Sequence, residues 1–112
     1  MKLIALLVLG LVGVIEPAFA KTYVYTCTTA VVDQWGRERP GTRHEAYYRA
    51  NDGDRVGILA NHFCPDALNK CVNSRTGWGD CCEVVGAGAL GGDYTRDVRW
   101  RMGSYARQCS GG

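Results

Sequence analysis

Six cysteines constrain this chain more than any other feature of its sequence. Four lie in the stretch CPDALNKCVNSRTGWGDCC, which begins at Cys64 and ends at Cys82, and Cys27 and Cys109 flank it at a distance. An even number of cysteines in a short exported chain is typical of a disulfide framework. The CxxC…CxxC and CxxC…HxxxH spacings that indicate a zinc site are absent from the sequence. We therefore expect three disulfides, no bound metal and no cofactor.

Residues 1–20 have the pattern of a signal peptide. Lys2 precedes an apolar run from Leu3 to Ile15, and Ala18 and Ala20 are the small residues that signal peptidase requires. The run is shorter than the roughly 20 apolar residues of a membrane-spanning helix, so we expect cleavage and no transmembrane anchor, although an uncleaved anchor is the alternative. The expected product is a secreted, extracellular protein with a single domain at residues 21–112.

The size and charge of that domain narrow its possible functions. A domain of about 90 residues buries only about 60–65% of its unfolded surface, so the core is thin and the disulfides are needed for stability. The formal net charge of the chain is +2. Such a mild charge does not indicate bulk binding of nucleic acid or of an acidic partner.

Residue patterns predict a small α+β fold, with an antiparallel sheet of about five strands, one short helix and disulfide staples. Aromatic and β-branched residues predict a strand at 22–32, and Asp-Gly at 52–53 predicts a hairpin between segments 43–50 and 55–60. Cys81 to Val85 is expected to be a short strand, and the glycines of 86–92 a flexible loop. Segment 95–109 alternates apolar and basic residues, which favours a strand, with a helix as the alternative.

The predicted helix at 65–73 restricts the disulfide pairing. Pro65 suits the first turn of a helix, and Cys64, Leu68 and Cys71 have the spacing of one helical face. Seven residues of helix rise about 10.5 Å, whereas a disulfide needs Cα atoms within about 7 Å. Cys64 and Cys71 are therefore not expected to pair with each other, and neither are the adjacent Cys81 and Cys82. The remaining pairings stay open.

A G-x-G-x-x-G pattern at Gly86, Gly88 and Gly91 follows the predicted strand. In a dinucleotide-binding unit these glycines let the backbone approach a pyrophosphate at a helix N-terminus. We expect no helix to follow the pattern here, and the chain is too short for a doubly wound sheet. A hinge or bulged loop is the preferred interpretation, with no nucleotide cofactor.

Two surfaces could carry an activity. His44, Glu45 and His62 form the only acid–base set that contains histidine, and a ribonuclease-like hydrolase could use them with an arginine, although neighbours on a strand point to opposite faces. The second candidate is a basic and aromatic face that could bind anionic or acidic surfaces. Its expected binding residues are Arg96, Arg99, Trp100, Arg101 and Tyr105.

Two segments of the chain resemble a known family. YRANDGDRVGILANHFC at 48–64 and CEVVGAGALGGDYTRDVRWRMGSYARQC at 82–109 are similar to the strand–turn–strand and closing patterns of the killer-toxin family first known from a virus-infected smut fungus. The chain lacks that family's Gly-Ile-Asn-Cys-type opening and has fewer cysteines. The resemblance implies a compact α/β sandwich and a toxin or effector role without catalysis. It also implies a central basic surface residue, for which Arg99 and Arg101 are the candidates.

These patterns together predict a monomeric, non-enzymatic effector or toxin-like protein of the kind that fungi secrete. Its expected partner is a host or competitor protein or another cell-surface target. A polysaccharide-binding module is a further alternative, because Trp35, Trp78 and Trp100 could stack on sugar rings.

Overall fold

The computed structural model describes residues 22–51, 53–77, 79–90 and 92–110. The proposed signal peptide at 1–20 and Trp78, one of the three tryptophans that could stack on sugar rings, lie outside the described residues. The elements follow in the order β1 (Tyr23–Val32), β2 (His44–Ala50), α1 (Arg55–Ile58), a π-helical turn (Leu59–Phe63), α2 (Cys64–Arg75), β3 (Cys81–Ala89), α3 (Thr95–Met102), a 3₁₀ turn (Gly103–Ala106) and β4 (Arg107–Cys109).

The strands form one antiparallel sheet with the order β2-β1-β3-β4. The predicted α+β class is therefore confirmed, with four strands in place of about five and with more than one helix among the described residues. The predicted strand at 22–32 is β1, which occupies a central position. Its Tyr25, Cys27 and Val31 alternate toward the helices and belong to the buried core.

The second strand of the predicted hairpin is wrong, because residues 55–63 are helical. Asp54, which follows the Asp-Gly pair of the expected turn, lies at the N-cap of α1, where its side chain accepts a hydrogen bond from the Gly57 N–H at 3.1 Å. This contact satisfies a backbone donor that the start of a helix leaves free. The strand–turn–strand expected for 48–64 from the family resemblance is likewise a strand, a turn and a helix.

Helix α2 confirms the predicted helix and extends it at both ends. Asp66 lies in its first turn, where the helix dipole favours a negative charge. The π-helical turn ends at Phe63, two residues before Pro65, and it contains Asn61, the residue four positions before the proline. A proline ring clashes with the carbonyl four residues earlier in a regular α-helix, and the wider turn gives it room. Leu68 on the inner face of α2 is fully buried.

The glycine segment 86–92 is not a loop throughout, because β3 continues to Ala89. The pairing of β1 with β3 shifts between Thr28 and Thr29, which leaves Val85 as the extra residue of a β-bulge. Gly86 and Gly88 then continue the strand opposite Thr28 and Thr26.

The predicted strand at 95–109 is also wrong over most of its length. Residues 95–102 form α3, and only the three residues Arg107–Cys109 form a strand. Val98 and Met102 are one helical turn apart and both lie in the core. Their burial against the rest of the core decides between the two periodicities that the sequence allowed.

Three disulfides connect these elements: Cys27–Cys64, Cys71–Cys82 and Cys81–Cys109. The predicted exclusions are therefore confirmed, since neither the two helix cysteines nor the adjacent pair bond to each other. The first two disulfides attach α2 to β1 and β3, and the third joins β3 to β4. Cys81 and Cys82 are neighbours on a strand and point to opposite faces.

Candidate functional site

A groove with a volume of about 960 Å³ runs along α3. It lies between α3, the 3₁₀ turn and the paired ends of β3 and β4. Its lining combines charged side chains with one large aromatic residue: Glu83, Asp93, Thr95, Arg96, Asp97, Arg99, Trp100, Gly103, Ser104, Ala106 and Arg107.

Helix α3 is held in place from its first residue. The Thr95 N–H and hydroxyl both donate to the Asp93 carboxylate, at 3.0 and 2.8 Å, and these contacts lower the pKa of Asp93. The Ala87 N–H of β3 donates to the Thr95 hydroxyl at 2.9 Å. Val98 and Met102 anchor the inner face of the helix in the core. The outer face is therefore a rigid platform for the groove.

The charges in the groove are partly paired. The Glu83 carboxylate lies 3.2 Å from the Arg107 guanidinium and 3.9 Å from that of Arg99. Arg96 and Asp97, both exposed, have no ion-pair partner within the described part of the chain. The lining of the groove thus contains an unpaired cation, an unpaired carboxylate and one carboxylate that is shared by two arginines.

Among the large hydrophobic side chains that the structure describes, that of Trp100 is the most exposed, at 85% of its maximum accessibility. It contributes nothing to the core, because the helix buries the side on which Val98 and Met102 lie. Tryptophan and arginine are the residues most enriched among binding hot spots of protein interfaces. The groove brings Trp100 together with Arg96 and Arg99, three of the five binding residues predicted from the sequence.

The other two predicted binding residues lie on a different flank. Arg101 and Tyr105 line a smaller cavity of about 280 Å³ together with residues of the π-helical turn and α2. The Arg101 guanidinium lies 3.2 Å from the Asp54 carboxylate and connects α3 to the start of α1. In a strand Arg99 and Arg101 would share a face, but in a helix they are about 200° apart. The expected single basic face is therefore divided in two.

Sequence reasoning missed the contribution of Glu83 and of the 3₁₀ turn to the groove. The signal for the groove-facing side of α3 was the helical spacing of Arg96, Arg99 and Trp100, which is lost when the segment is interpreted as a strand. The contact of Glu83 with Arg107 depends on the pairing of β3 with β4, which no local pattern predicts.

The histidine set is not assembled into a site by any described contact. His44 and Glu45 are neighbours on β2 and point to opposite faces, and His62 is exposed on the π-helical turn. Glu45 instead accepts a hydrogen bond from the Tyr47 hydroxyl, which raises the pKa of that phenol. Among the described residues, no hydrogen bond or ion pair joins His44, Glu45 or His62 to another member of the set.

The glycine pattern packs against the chain itself. A helix does follow the pattern, contrary to the expectation, because α3 begins at Thr95. A Cβ atom on Gly88 would lie 2.2 Å from the Gly92 carbonyl oxygen. The space above Gly88 is therefore filled by backbone, and the Asp93 carboxylate already accepts the Thr95 N–H at the start of the helix. Gly91 lies outside the described residues.

Trp35 is 70% exposed and does not cover the core. The Arg37 guanidinium lies 5.4 Å from the centre of its ring. A Cβ atom on the neighbouring Gly36 would lie 3.0 Å from the Arg107 guanidinium, so this loop borders the groove.

Other kinds of site are not evident in the described ranges. No group of three His, Cys, Asp or Glu side chains there is arranged to hold a metal ion. No helix in the same ranges is long and apolar enough to cross a membrane. All six cysteines are paired, so none is a free nucleophile.

No protein-family model, curated protein or solved structure is significantly similar to this chain. The structure therefore defines the class by itself: a small α+β protein stabilised by three disulfides. Disulfide-rich domains of this size are typical of extracellular proteins, because the cytosol keeps thiols reduced.

Proposed function

We propose that this protein is a secreted, non-enzymatic effector or toxin-like protein that binds a host or competitor target through the groove of α3. The exposure of Trp100 is the observation that carries the proposal. An indole on a rigid helix, away from the core and beside two arginines, has the composition and placement of an interface anchor. The export signal at 1–20 and the resemblance to the smut-virus killer-toxin family support the secreted toxin or effector role.

The charges in the groove indicate the chemistry of the target. Arg96 is free to pair with a carboxylate or another anion, whereas Glu83 already neutralises part of the charge on Arg99 and Arg107. Because Asp97 is unpaired as well, we expect a target surface that presents an acidic group for Arg96, a basic group for Asp97 and an apolar patch that would pack against Trp100. Arg99 becomes the central basic residue of this proposal, and Arg101 is assigned to the structural contact with Asp54.

Labelled protein and cells from host and competitor species would test this proposal. Wild-type protein should bind one class of cells saturably and inhibit its growth or provoke cell death. Trp100→Ala should weaken binding by about 30-fold, as expected for loss of a hot spot of about 2 kcal/mol. Tyr105→Ala is the matched control, because it removes another highly exposed aromatic ring, from the other flank, and should leave binding intact.

Two outcomes would reject the groove as the binding site. Equal loss in the Trp100 and Tyr105 variants would indicate a general effect on the fold, and retention of full binding by both would place the site elsewhere. Pull-down on insoluble polysaccharide tests the sugar-binding alternative, which the exposure of Trp35 beside the groove favours. The hydrolase alternative would be established if the wild-type protein cleaves RNA and the His44→Ala and His62→Ala variants do not.

A further inference from the structure

Strand β2 is the outermost strand on one side of the sheet. The side chains of Glu45, Tyr47 and Arg49 on this strand are exposed, and that of Tyr47 retains 65% of its maximum accessibility. An open edge strand presents unpaired backbone groups that can pair with another strand. The decisive question is which residues of β2 carry those groups.

The hydrogen bonds of β1 answer this question. The Leu90 N–H donates to the Val24 carbonyl at 2.9 Å, so Val24 directs its backbone groups toward β3. The backbone groups of Val31 point to the opposite side of β1, away from β3. There the Val31 carbonyl accepts from the Arg39 N–H at 2.8 Å, and the Val31 N–H donates to the Thr42 hydroxyl at 3.0 Å. Since these directions alternate along a strand, odd-numbered residues of β1 face β2.

The same alternation fixes the polarity of β2. Tyr25 and Cys27 face β2 and oppose Tyr48 and Ala46, so these even-numbered residues of β2 use their backbone groups internally. The N–H and C=O groups of Glu45, Tyr47 and Arg49 therefore point away from the sheet. No hydrogen bond to these backbone groups is made by any other described residue.

This edge is complementary to itself. If two β2 strands meet antiparallel with Tyr47 opposite Tyr47, the Glu45 of each strand lies opposite the Arg49 of the other. All three of these residues carry the outward backbone groups, so each of the three cross-strand pairs exchanges two hydrogen bonds. Their side chains also share one face, which places opposite charges next to each other on both sides of the central tyrosines.

We propose that two copies of this chain associate through β2 in this register, which joins their sheets into one continuous sheet around a twofold axis at Tyr47. In a closed twofold dimer, the open edge strand of each copy is paired with that of the other copy. The contact is one short strand per copy and is smaller than the roughly 1,200–2,000 Å² of stable interfaces, so the dimer is weak and reversible. The monomer expected from the sequence is then the dilute form.

A charge swap tests this pairing without affecting the internal hydrogen bonds of the sheet. Sedimentation velocity of the oxidised wild-type protein should show a dimer that grows with concentration. Glu45→Arg and Arg49→Glu each replace two attractive pairs by two repulsive ones and should raise the dissociation constant about tenfold. An equimolar mixture of the two variants should form heterodimers, because every cross-strand pair is then again Arg opposite Glu.

Arg96→Glu is the matched control, because it makes the same charge change on α3 and should dimerise as the wild type does. Circular dichroism of each variant checks that the fold is retained. A wild type that stays monomeric at millimolar concentration would overturn the proposal. So would unchanged association of both single variants, or a mixture that remains monomeric.

Discussion

Replacement of Gly88 by alanine probes the packing that positions α3. The added Cβ would lie 2.2 Å from the Gly92 carbonyl oxygen, 3.0 Å from its carbonyl carbon and 3.2 Å from the Asp93 Cα. All three atoms belong to the backbone, so no side chain can rotate away to relieve the clash. A normal C···O contact is about 3.3 Å or longer, so the segment at Gly92 must move by about 1 Å.

The magnitude follows from two opposing effects. Overpacking that forces the backbone to shift destabilises a protein by about 1–3 kcal/mol, and this contact lies at the upper end. Alanine also restricts the unfolded chain, which offsets about 0.4–1 kcal/mol. We therefore expect a net loss of about 2 kcal/mol, which lowers the melting temperature of a domain of this size by about 8–16 °C.

The matched control lies two residues away on the same strand. A Cβ atom on Gly86 would lie 3.3 Å from the Thr28 Cβ, so the contact would need relief of only a few tenths of an ångström, against about 1 Å at Gly88. Gly86→Ala should therefore change the free energy of unfolding by less than about 0.5 kcal/mol. Thermal unfolding of the oxidised proteins, followed by circular dichroism, measures both variants. Equal melting temperatures for the two variants would refute the close approach of Gly92 to β3.

Two further predictions concern stability. Replacement of Cys27 and Cys64 by alanine should lower the free energy of unfolding by about 4 kcal/mol, because their disulfide closes a sequence separation of 37. The Cys71–Cys82 disulfide, with a separation of 11, should contribute about 3 kcal/mol. Equal urea midpoints for the wild type and the Cys27–Cys64 variant would contradict this expectation. The Tyr48 hydroxyl donates to the Asp66 carboxylate at 2.9 Å, and burial and this contact raise the pKa of the phenol above its usual value of 10.0. The contribution of Tyr48 to the stability of the fold is therefore complete below about pH 10 and is lost as the pH rises further. Tyr48→Phe should flatten that alkaline loss, and an unchanged loss in this variant would assign it to other groups.

The cysteine geometry could be predicted because it depends on local rules. A helix of known rise separates Cys64 from Cys71, and a strand points Cys81 and Cys82 apart. These two facts excluded two of the possible pairs without any tertiary information and left the other pairings open. The partner of each cysteine could not be chosen in the same way, since it depends on how α2 crosses the sheet.

Two wrong predictions, the second strand of the hairpin at 55–60 and the strand at 95–109, have a common cause. The sequence around Asp54 is compatible with a hairpin turn and with a helix cap, and segment 95–102 is compatible with period 2 and with period 3.6. Long-range contacts decide both cases: Arg101 reaches the Asp54 cap, and the core accepts Val98 and Met102. A helix at 95–102 in turn separates Arg99 from Arg101, so the same error placed the candidate site on one face instead of two.

The disulfides also determine what happens to the chain when its backbone is cut. The connecting segments between the strands and helices all lie inside disulfide rings, between two cysteines that are bonded to each other. Segments 33–43 and 51–54 lie within the Cys27–Cys64 ring, 76–80 within the Cys71–Cys82 ring and 90–94 within the Cys81–Cys109 ring. Between Cys27 and Cys109, only residues 65–70 are enclosed by no ring, and they lie inside α2, where a protease cannot bind the chain in extended form. A single cut in any connecting segment therefore releases no fragment, and the two pieces stay covalently attached.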